Sequence, residues 1–155
     1  SVAFTQFDAT KYDHYAFYFQ HVVPVTDQQV LYGHHSTDGG SSYDTTDGDY
    51  HYSGTTDTTG FFVSAYYAGD GLGSDSGEYG VVGLAYLYAP HVAAFTVMSP
   101  INIVSQLSAG GFYGQLYTAA SARLAAEDTD AIKFQFPSGN IESGEIVMYG
   151  IANGT

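Results

Sequence analysis

The segment at positions 34–54, HHSTDGGSSYDTTDGDYHYSG, concentrates side chains that could bind a metal ion or transfer a proton. Imidazole and carboxylate groups are the common protein ligands of zinc and calcium, and they are also common general acids and bases. The alternative is a polar loop in which aspartate and glycine turn the chain between two strands. The histidines and aspartates of this segment are His34, His35, His51, Asp38, Asp44, Asp47 and Asp49.

A calcium site is the first chemistry to weigh. An EF-hand loop that began at Asp44 would need an acidic or amide side chain at its third position and a glutamate at its twelfth. The chain has Thr46 and Thr55 at these positions, so the motif does not match. A different loop site for Ca²⁺, formed by Asp44, Asp47 and Asp49, stays as an alternative.

A zinc site fits less well. His34 and His35 are adjacent, and adjacent residues of a strand point to opposite faces, so they cannot chelate one ion together. His51 could join only one of them. We therefore expect no metal site and no cofactor, and we interpret the aspartate–glycine steps at 38–40 and 47–48 as turns in which aspartate caps local amides.

The overall charge excludes several classes of partner. Only Lys11, Arg123 and Lys133 oppose 16 acidic residues, which gives a formal net charge of −13. A nucleic-acid groove needs clustered basic side chains, and an anionic membrane surface attracts them, so neither is an expected partner. The longest apolar runs are too short to span a bilayer, so we expect no membrane insertion. With no cysteine, thiol chemistry and disulfides are absent.

Alternating apolar residues separated by Gly, Asp and Ser clusters predict an all-β protein. A single domain over 1–155, built as a two-layer antiparallel β-sandwich of the jelly-roll kind, accounts for about ten strands. The segment at 117–130 is rich in alanine and could form a helix, but it lacks an apolar stripe, so we predict a strand to position 123 and a loop to 130. The predicted strands are 2–7, 13–22, 29–35, 49–53, 60–68, 79–87, 94–104, 111–123, 131–136 and 145–151.

Other catalytic arrangements are weak in this sequence. The loop AGDGLGSDSGE at 68–78 lacks the basic residues and the helix of a phosphate-binding loop, although its acidic residues could bind Ca²⁺. The four glutamates lie in predicted turns or at a strand edge, where nothing would raise a carboxyl pKa for glycoside hydrolysis. A Ser-His-Asp triad is compatible with the composition, but the chain has no GxSxG motif. We therefore expect no enzymatic activity and keep a small glycan hydrolase as a third hypothesis.

Tyrosine is the remaining residue type that could contact a ligand, and the chain has 15 of them. Most are expected in the core or in an interface. The clusters at 66–67, 86–88 and 113–117 belong to this group. Tyrosine can also stack on a sugar ring, and the best candidates for a glycan contact are Tyr50 and Tyr52 together with Asp47 and Asp49.

Both ends of the chain resemble a known family. The motifs are the aromatic strand pair and STDGG turn within 7–54, and the closing IKFQF, SGNIESG and MYGI segments. They resemble a β-sandwich family of tailed bacteriophages, found among tail-fibre, head-fibre and other virion surface proteins. The segment at 55–108 does not take part in this resemblance. His35 stands before STDGG where a basic residue would be more usual, and the chain is poor in arginine.

The resemblance implies a non-catalytic virion structural protein on the particle surface. Its expected partners are further copies of itself, as a homotrimer, and other capsid or tail proteins, with host-surface glycan as a further ligand for adhesion. The competing hypothesis is a carbohydrate-binding module, with or without Ca²⁺.

Overall fold

The computed structural model describes residues 1–52, 55–64, 71–106, 114–118 and 120–152. These residues form strands and turns, and none of them lies in a helix. The described part of the chain therefore contains no helix that is long and apolar enough to cross a membrane. The strands are β1 (Val2–Phe4), β2 (His14–Pro24), β3 (Tyr32–Ser36), β4 (Tyr50–Tyr52), β5 (Thr55–Thr58), β6 (Phe61–Phe62), β7 (Val81–Tyr88), β8 (Ala94–Gln106), β9 (Gly114–Tyr117), β10 (Ser121–Glu127), β11 (Ala131–Gln135) and β12 (Ile141–Ile151).

Two antiparallel sheets pack face to face, which confirms the predicted β-sandwich. The smaller sheet has the order β1-β11-β3-β6, and the larger sheet has the order β12-β2-β7-β8-β10-β4-β5, with β9 beside β8. If β7–β9 and β12 are set aside, the remaining orders are β1-β11-β3-β6 and β2-β10-β4-β5. These are the orders of a jelly roll, in which each connection between consecutive strands, except the one from β4 to β5, crosses between two four-stranded sheets. β7 and β8 therefore widen one sheet of a jelly roll without changing the order of its other strands.

The core is aromatic and begins with the alternation of β2. Tyr15, Phe17 and Phe19 point between the sheets and are fully buried, as their spacing predicts. The ring of Phe134 on β11 meets those of Phe17 and Phe19 edge-on, with centroids 4.9 and 5.2 Å apart. Burial of each such ring contributes about 2–3 kcal/mol, so this aromatic row is a main attachment between the two sheets.

One predicted element is wrong in its extent. The single strand expected at 111–123 is two strands where the structure describes it, β9 and β10, and β10 continues to Glu127, where a loop was expected. The alanine-rich segment stays extended because it pairs with β8: Ala126 lies opposite Phe95 and Glu127 opposite Ala94, beyond an irregularity in the register. Cross-strand pairing therefore overrides a local helix propensity.

Several predicted boundaries also move. β1 ends at Phe4, before the predicted position 7, and β6 is limited to Phe61–Phe62 within the predicted 60–68. β12 begins at Ile141, four residues before its predicted start. The tyrosines at 66, 67 and 113, and residues 68–70 of the acidic glycine-rich loop, lie outside the described residues.

Candidate functional site

The polar site of the sandwich is built around Arg123, the only arginine of the chain. Arg123 occupies an inward-facing position of β10 and is 8% exposed. The strand β3 supplies His35, β10 supplies Glu127 as well, and the loop between β3 and β4 supplies Asp44 and Asp49. A jelly-roll strand order thus brings together residues that are far apart in sequence.

The guanidinium group of Arg123 is fully engaged with its surroundings. Its Nε donates a hydrogen bond of 2.8 Å to Nε2 of His35, and its Nη1 donates one of 3.1 Å to the backbone carbonyl of Asp49. Its Nη2 lies 2.8 Å from Oδ2 of Asp44, 3.6 Å from Oδ2 of Asp49 and 3.5 Å from Oε2 of Glu127. The 2.8 Å contact to Asp44 is an ion pair whose angles are not those of a hydrogen bond. A charged arginine therefore occupies the position among these three carboxylates that a bound cation would take.

His35 is held in one tautomer by this arrangement. Because arginine always donates, Nε2 of His35 must accept, and the ring proton lies on Nδ1. Nδ1 then donates to Oγ1 of Thr129 at 3.2 Å, and this hydroxyl contacts Oγ1 of Thr96 at 3.0 Å. Burial, and then the charge of Arg123, lower the pKa of His35 below its usual value. A neutral imidazole whose acceptor nitrogen is already occupied is poorly placed to act as a general base.

The carboxylates around Arg123 open to solvent through a surface cavity of about 260 Å³. Burial by itself would raise the pKa of Asp44, but hydrogen bonds from Thr46 and the charge of Arg123 hold it below the usual value. Three carboxylates against one guanidinium leave an excess of negative charge at the cavity. Ser36, Thr37, Ser42 and Tyr43 form the rest of its lining. Such a cavity favours a ligand that donates hydrogen bonds or carries positive charge.

The turn interpretation of the segment at 34–54 agrees with its hydrogen bonds. Both carboxyl oxygens of Asp38 accept bonds from Ser42, from its amide at 2.8 Å and its hydroxyl at 2.6 Å. Oδ1 of Asp44 accepts from the amide of Thr46 at 2.9 Å. Gly48 has a φ of 85°, a conformation that favours glycine. Within the described part of the chain, no group of three or more His, Asp or Glu side chains is arranged to hold a metal ion.

The four residues predicted to contact glycan do not form one surface. Tyr50 is fully buried, and its hydroxyl donates to the carbonyl of Asp44 at 2.9 Å and accepts from the amide of His35 at 3.3 Å. The ring of Tyr52 is half-buried and stacks on Phe62, with centroids 4.5 Å apart. Tyr50 therefore offers no ring face to a sugar. Of the predicted set, only Asp49 lines the cavity, and Asp47 is an exposed turn residue.

Sequence reasoning missed Arg123, Glu127 and Thr129 as parts of the site. The alternation pattern places Arg123 at the end of a predicted strand and Thr129 in a predicted loop. One signal was available: a lone arginine among 16 acidic residues, at an inward position of an alternating strand, has to be paired when it is buried.

A second surface lies on the outer face of the larger sheet, across β12, β2, β7 and β8. Its side chains form three rows that follow the strand register, and none of these rows contains an acidic or basic residue other than one histidine. The first row is Val147, Tyr18, Leu84 and Ile101. The second row is Tyr149, Ala16, Tyr86 and Ser99. The third row is Ile151, His14, Tyr88 and Val97.

This outer face is exposed in a chain of high negative charge. The fractional exposure is 54% for Tyr149, 40% for Tyr88 and 36% for Ile101, and Phe95 at the margin is 59% exposed. Four strands about 4.8 Å apart and three rows about 7 Å apart give a patch of roughly 400 Å². A footprint of this size is comparable to the largest patch on a typical monomer, and such a patch often has a function.

Comparison with known proteins finds no match to a protein family, to a curated protein or to a solved structure.

Proposed function

We propose that this chain is a non-catalytic structural protein of a tailed-bacteriophage particle, a head- or tail-fibre or surface decoration module. It assembles by burial of surface and carries out no chemical step. The observation that carries this proposal is the uncharged outer face of the larger sheet, where Tyr149, Tyr88 and Ile101 are exposed together. The bacteriophage setting rests on the resemblance of the two ends of the chain.

The outer face supports assembly for an energetic reason. Burial of apolar surface stabilises an interface by about 25 cal/mol per Å², and a specific interface usually covers about 800 Å² of each partner. The patch of roughly 400 Å² would form the centre of such an interface, with the polar margins of the sheet around it. The expected partners are further copies, as a homotrimer, and neighbouring capsid or tail proteins.

The polar site supports a structural role as well. Arg123 joins β10 to β3 and to the loop between β3 and β4, and Nε2 of His35 is used in that connection. The side chains of the polar site that could act as acids or bases therefore bind one another, and these contacts hold the two sheets and a loop together.

The test compares two lysine substitutions at equally exposed positions. Tyr149 on the outer face and Val25 in the loop after β2 are each 54% exposed. Each substitution makes the net charge less negative, so general repulsion between copies decreases in both variants. Sedimentation velocity should show oligomers of the wild type and of Val25→Lys, and monomers of Tyr149→Lys. The proposal would be refuted if the wild type stays monomeric and if antibodies against the chain label no phage particles in electron micrographs.

A second candidate function, glycan binding, is favoured by the cavity at Arg123. Its volume of about 260 Å³ and its acceptor-rich wall suit a sugar that donates hydroxyl hydrogens. The matched variants are Asp49→Asn, in the cavity wall, and Asp47→Asn, in an exposed turn nearby. On a glycan array, binding that is lost in Asp49→Asn and kept in Asp47→Asn would establish this function. Loss of the same binding in a chelator would establish a dependence on Ca²⁺.

A further inference from the structure

In the described part of the chain, the last strand of the larger sheet has no strand partner on one of its two sides. β12 runs over 11 residues, from Ile141 to Ile151, and stands at the end of the sheet. Among the residues that the structure describes, it pairs with β2 alone. An open strand edge presents unpaired backbone groups to any other strand, and natural proteins usually protect such edges with charge, proline or a bulge.

The two halves of β12 differ in this protection. Its first half carries Glu142 and register irregularities around Ser143, and Gly144 has a φ of 106°. Its second half, from Glu145 to Ile151, pairs with β2 through seven consecutive residues without interruption. After Glu145 this half contains no charged residue and no proline. The regular half of the strand is therefore the unprotected one.

We propose that β12 pairs antiparallel with β12 of a second copy, with Met148 of one copy opposite Met148 of the other. This inference rests on the proposed function, since it specifies one contact of the assembly. The contact is isologous, so it joins copies in pairs and continues the larger sheet from one copy into the next; it cannot lie within one homotrimer and would join a copy of one trimer to a copy of another. Val147 then lies opposite Tyr149 of the second copy, so a β-branched side chain meets an aromatic one on the outer face.

A second copy is the occupant that the register favours. Centring the pair on Met148 uses all seven regular residues and places each Glu145 opposite Ile151. The two Glu145 side chains are then six residues apart along the strands, about 20 Å, which exceeds the screening length of about 8 Å at physiological salt. Centring on Ile146 would bring them to about 7 Å, within the range of repulsion, and would pair fewer residues.

Single cysteines can test this register because the chain has no cysteine of its own. Directly opposed residues of antiparallel strands have Cα atoms about 5 Å apart, within the range of a disulfide, whereas diagonal neighbours lie at about 7–8 Å. The experiment mixes Val147→Cys with Tyr149→Cys and oxidises the mixture gently. Each variant carries a different tag, so that homodimers and heterodimers separate on a non-reducing gel. Val25→Cys, on a loop, controls for random collision at equal exposure to that of Tyr149.

The expected product is the 147–149 heterodisulfide, in about ten-fold excess over either homodisulfide and over any product of the Val25→Cys control. A mixture in which the heterodisulfide does not exceed the control overturns the inference, as does a dominant 147–147 or 149–149 product. A wild type that sediments as a trimer, together with cysteine variants that yield no such crosslink, would support the proposed function and overturn this contact. A wild type that is monomeric and absent from phage particles would overturn both this contact and the proposed function.

Discussion

Acidification from about pH 7 to about pH 4 should reduce the free energy of unfolding by about 3 kcal/mol through one side chain, His34. His34 lies on β3 and is 3% exposed. Burial, and then the charge of Lys133 directly opposite on β11, lower its pKa from 6.5 to about 4, although Asp44 and the backbone of Thr59 act in the other direction.

The magnitude follows from the difference between the two states. In the unfolded chain, the imidazole takes up a proton near pH 6.5, whereas in the folded protein it stays neutral until about pH 4. The stabilisation is therefore complete above pH 6.5 and is lost as the pH falls through this window. At 1.36 kcal/mol per pH unit, the loss is about 3 kcal/mol. The buried His35 has a lowered pKa as well and adds a loss of the same sign.

The assay is urea unfolding at a series of pH values, with His34→Gln as the test variant. Glutamine has no proton to gain in this range, so the variant should lose about 3 kcal/mol less than the wild type between pH 6.5 and pH 4, whatever its stability at neutral pH. His51→Gln, on the half-exposed outer side of β4, controls for the loss of a histidine as such. If the free energy of unfolding falls with pH equally in the wild type and in His34→Gln, the reasoning is refuted. The buried imidazole would then take up its proton without a cost to the folded state.

Three further changes should be visible in urea unfolding at neutral pH. Arg123→Met leaves the carboxylates of the polar site without their cation. Because water screens the two carboxylates that are partly exposed, we expect the free energy of unfolding to fall by only about 2–4 kcal/mol. Lys11→Met, which breaks an exposed pair, is its control, and equal effects of the two would contradict the account. Tyr50→Phe removes the hydroxyl that joins a loop carbonyl to an amide of β3, and a loss of about 1–2 kcal/mol is expected; a change below about 0.5 kcal/mol would count against this role. Gly144→Ala places a Cβ against the backbone carbonyl oxygen of His21 on β2, whereas Gly77→Ala, also at positive φ, meets no atom within 4 Å. Gly144→Ala should therefore be the more destabilising by at least about 1 kcal/mol, and an equal loss would mean that the β2 backbone moves aside.

The sequence was sufficient for the fold class because alternation is a local signal. Tyr15, Phe17 and Phe19 repeat every second residue, and this period alone assigns β2 to a strand. The turn at 38–40 was equally predictable, because both carboxyl oxygens of Asp38 accept bonds from Ser42, only four positions away.

The polar site around Arg123 could not be predicted from a local pattern. His35 and Arg123 are 88 residues apart in sequence and meet through the pairing of sheets, which no local pattern specifies. The burial of Tyr50 depends on the same pairing, since it is the inward side of β4 that faces His35. Likewise, the extension of β10 to Glu127 depends on its partner β8 and overrides the preference of an alanine-rich stretch.

The enclosure of Arg123 affects how the protein should be detected. Trypsin cleaves only after lysine and arginine, and the long segment between Lys11 and Arg123 contains neither. Because Arg123 is covered in the folded chain, a native digest would leave most of the polypeptide whole, and a tryptic survey that does not first unfold the protein would under-count it. Endoproteases that cut at aspartate or glutamate find exposed sites at turns such as Asp47 and Asp75, and they are the better reagents for locating this protein and for following its unfolding.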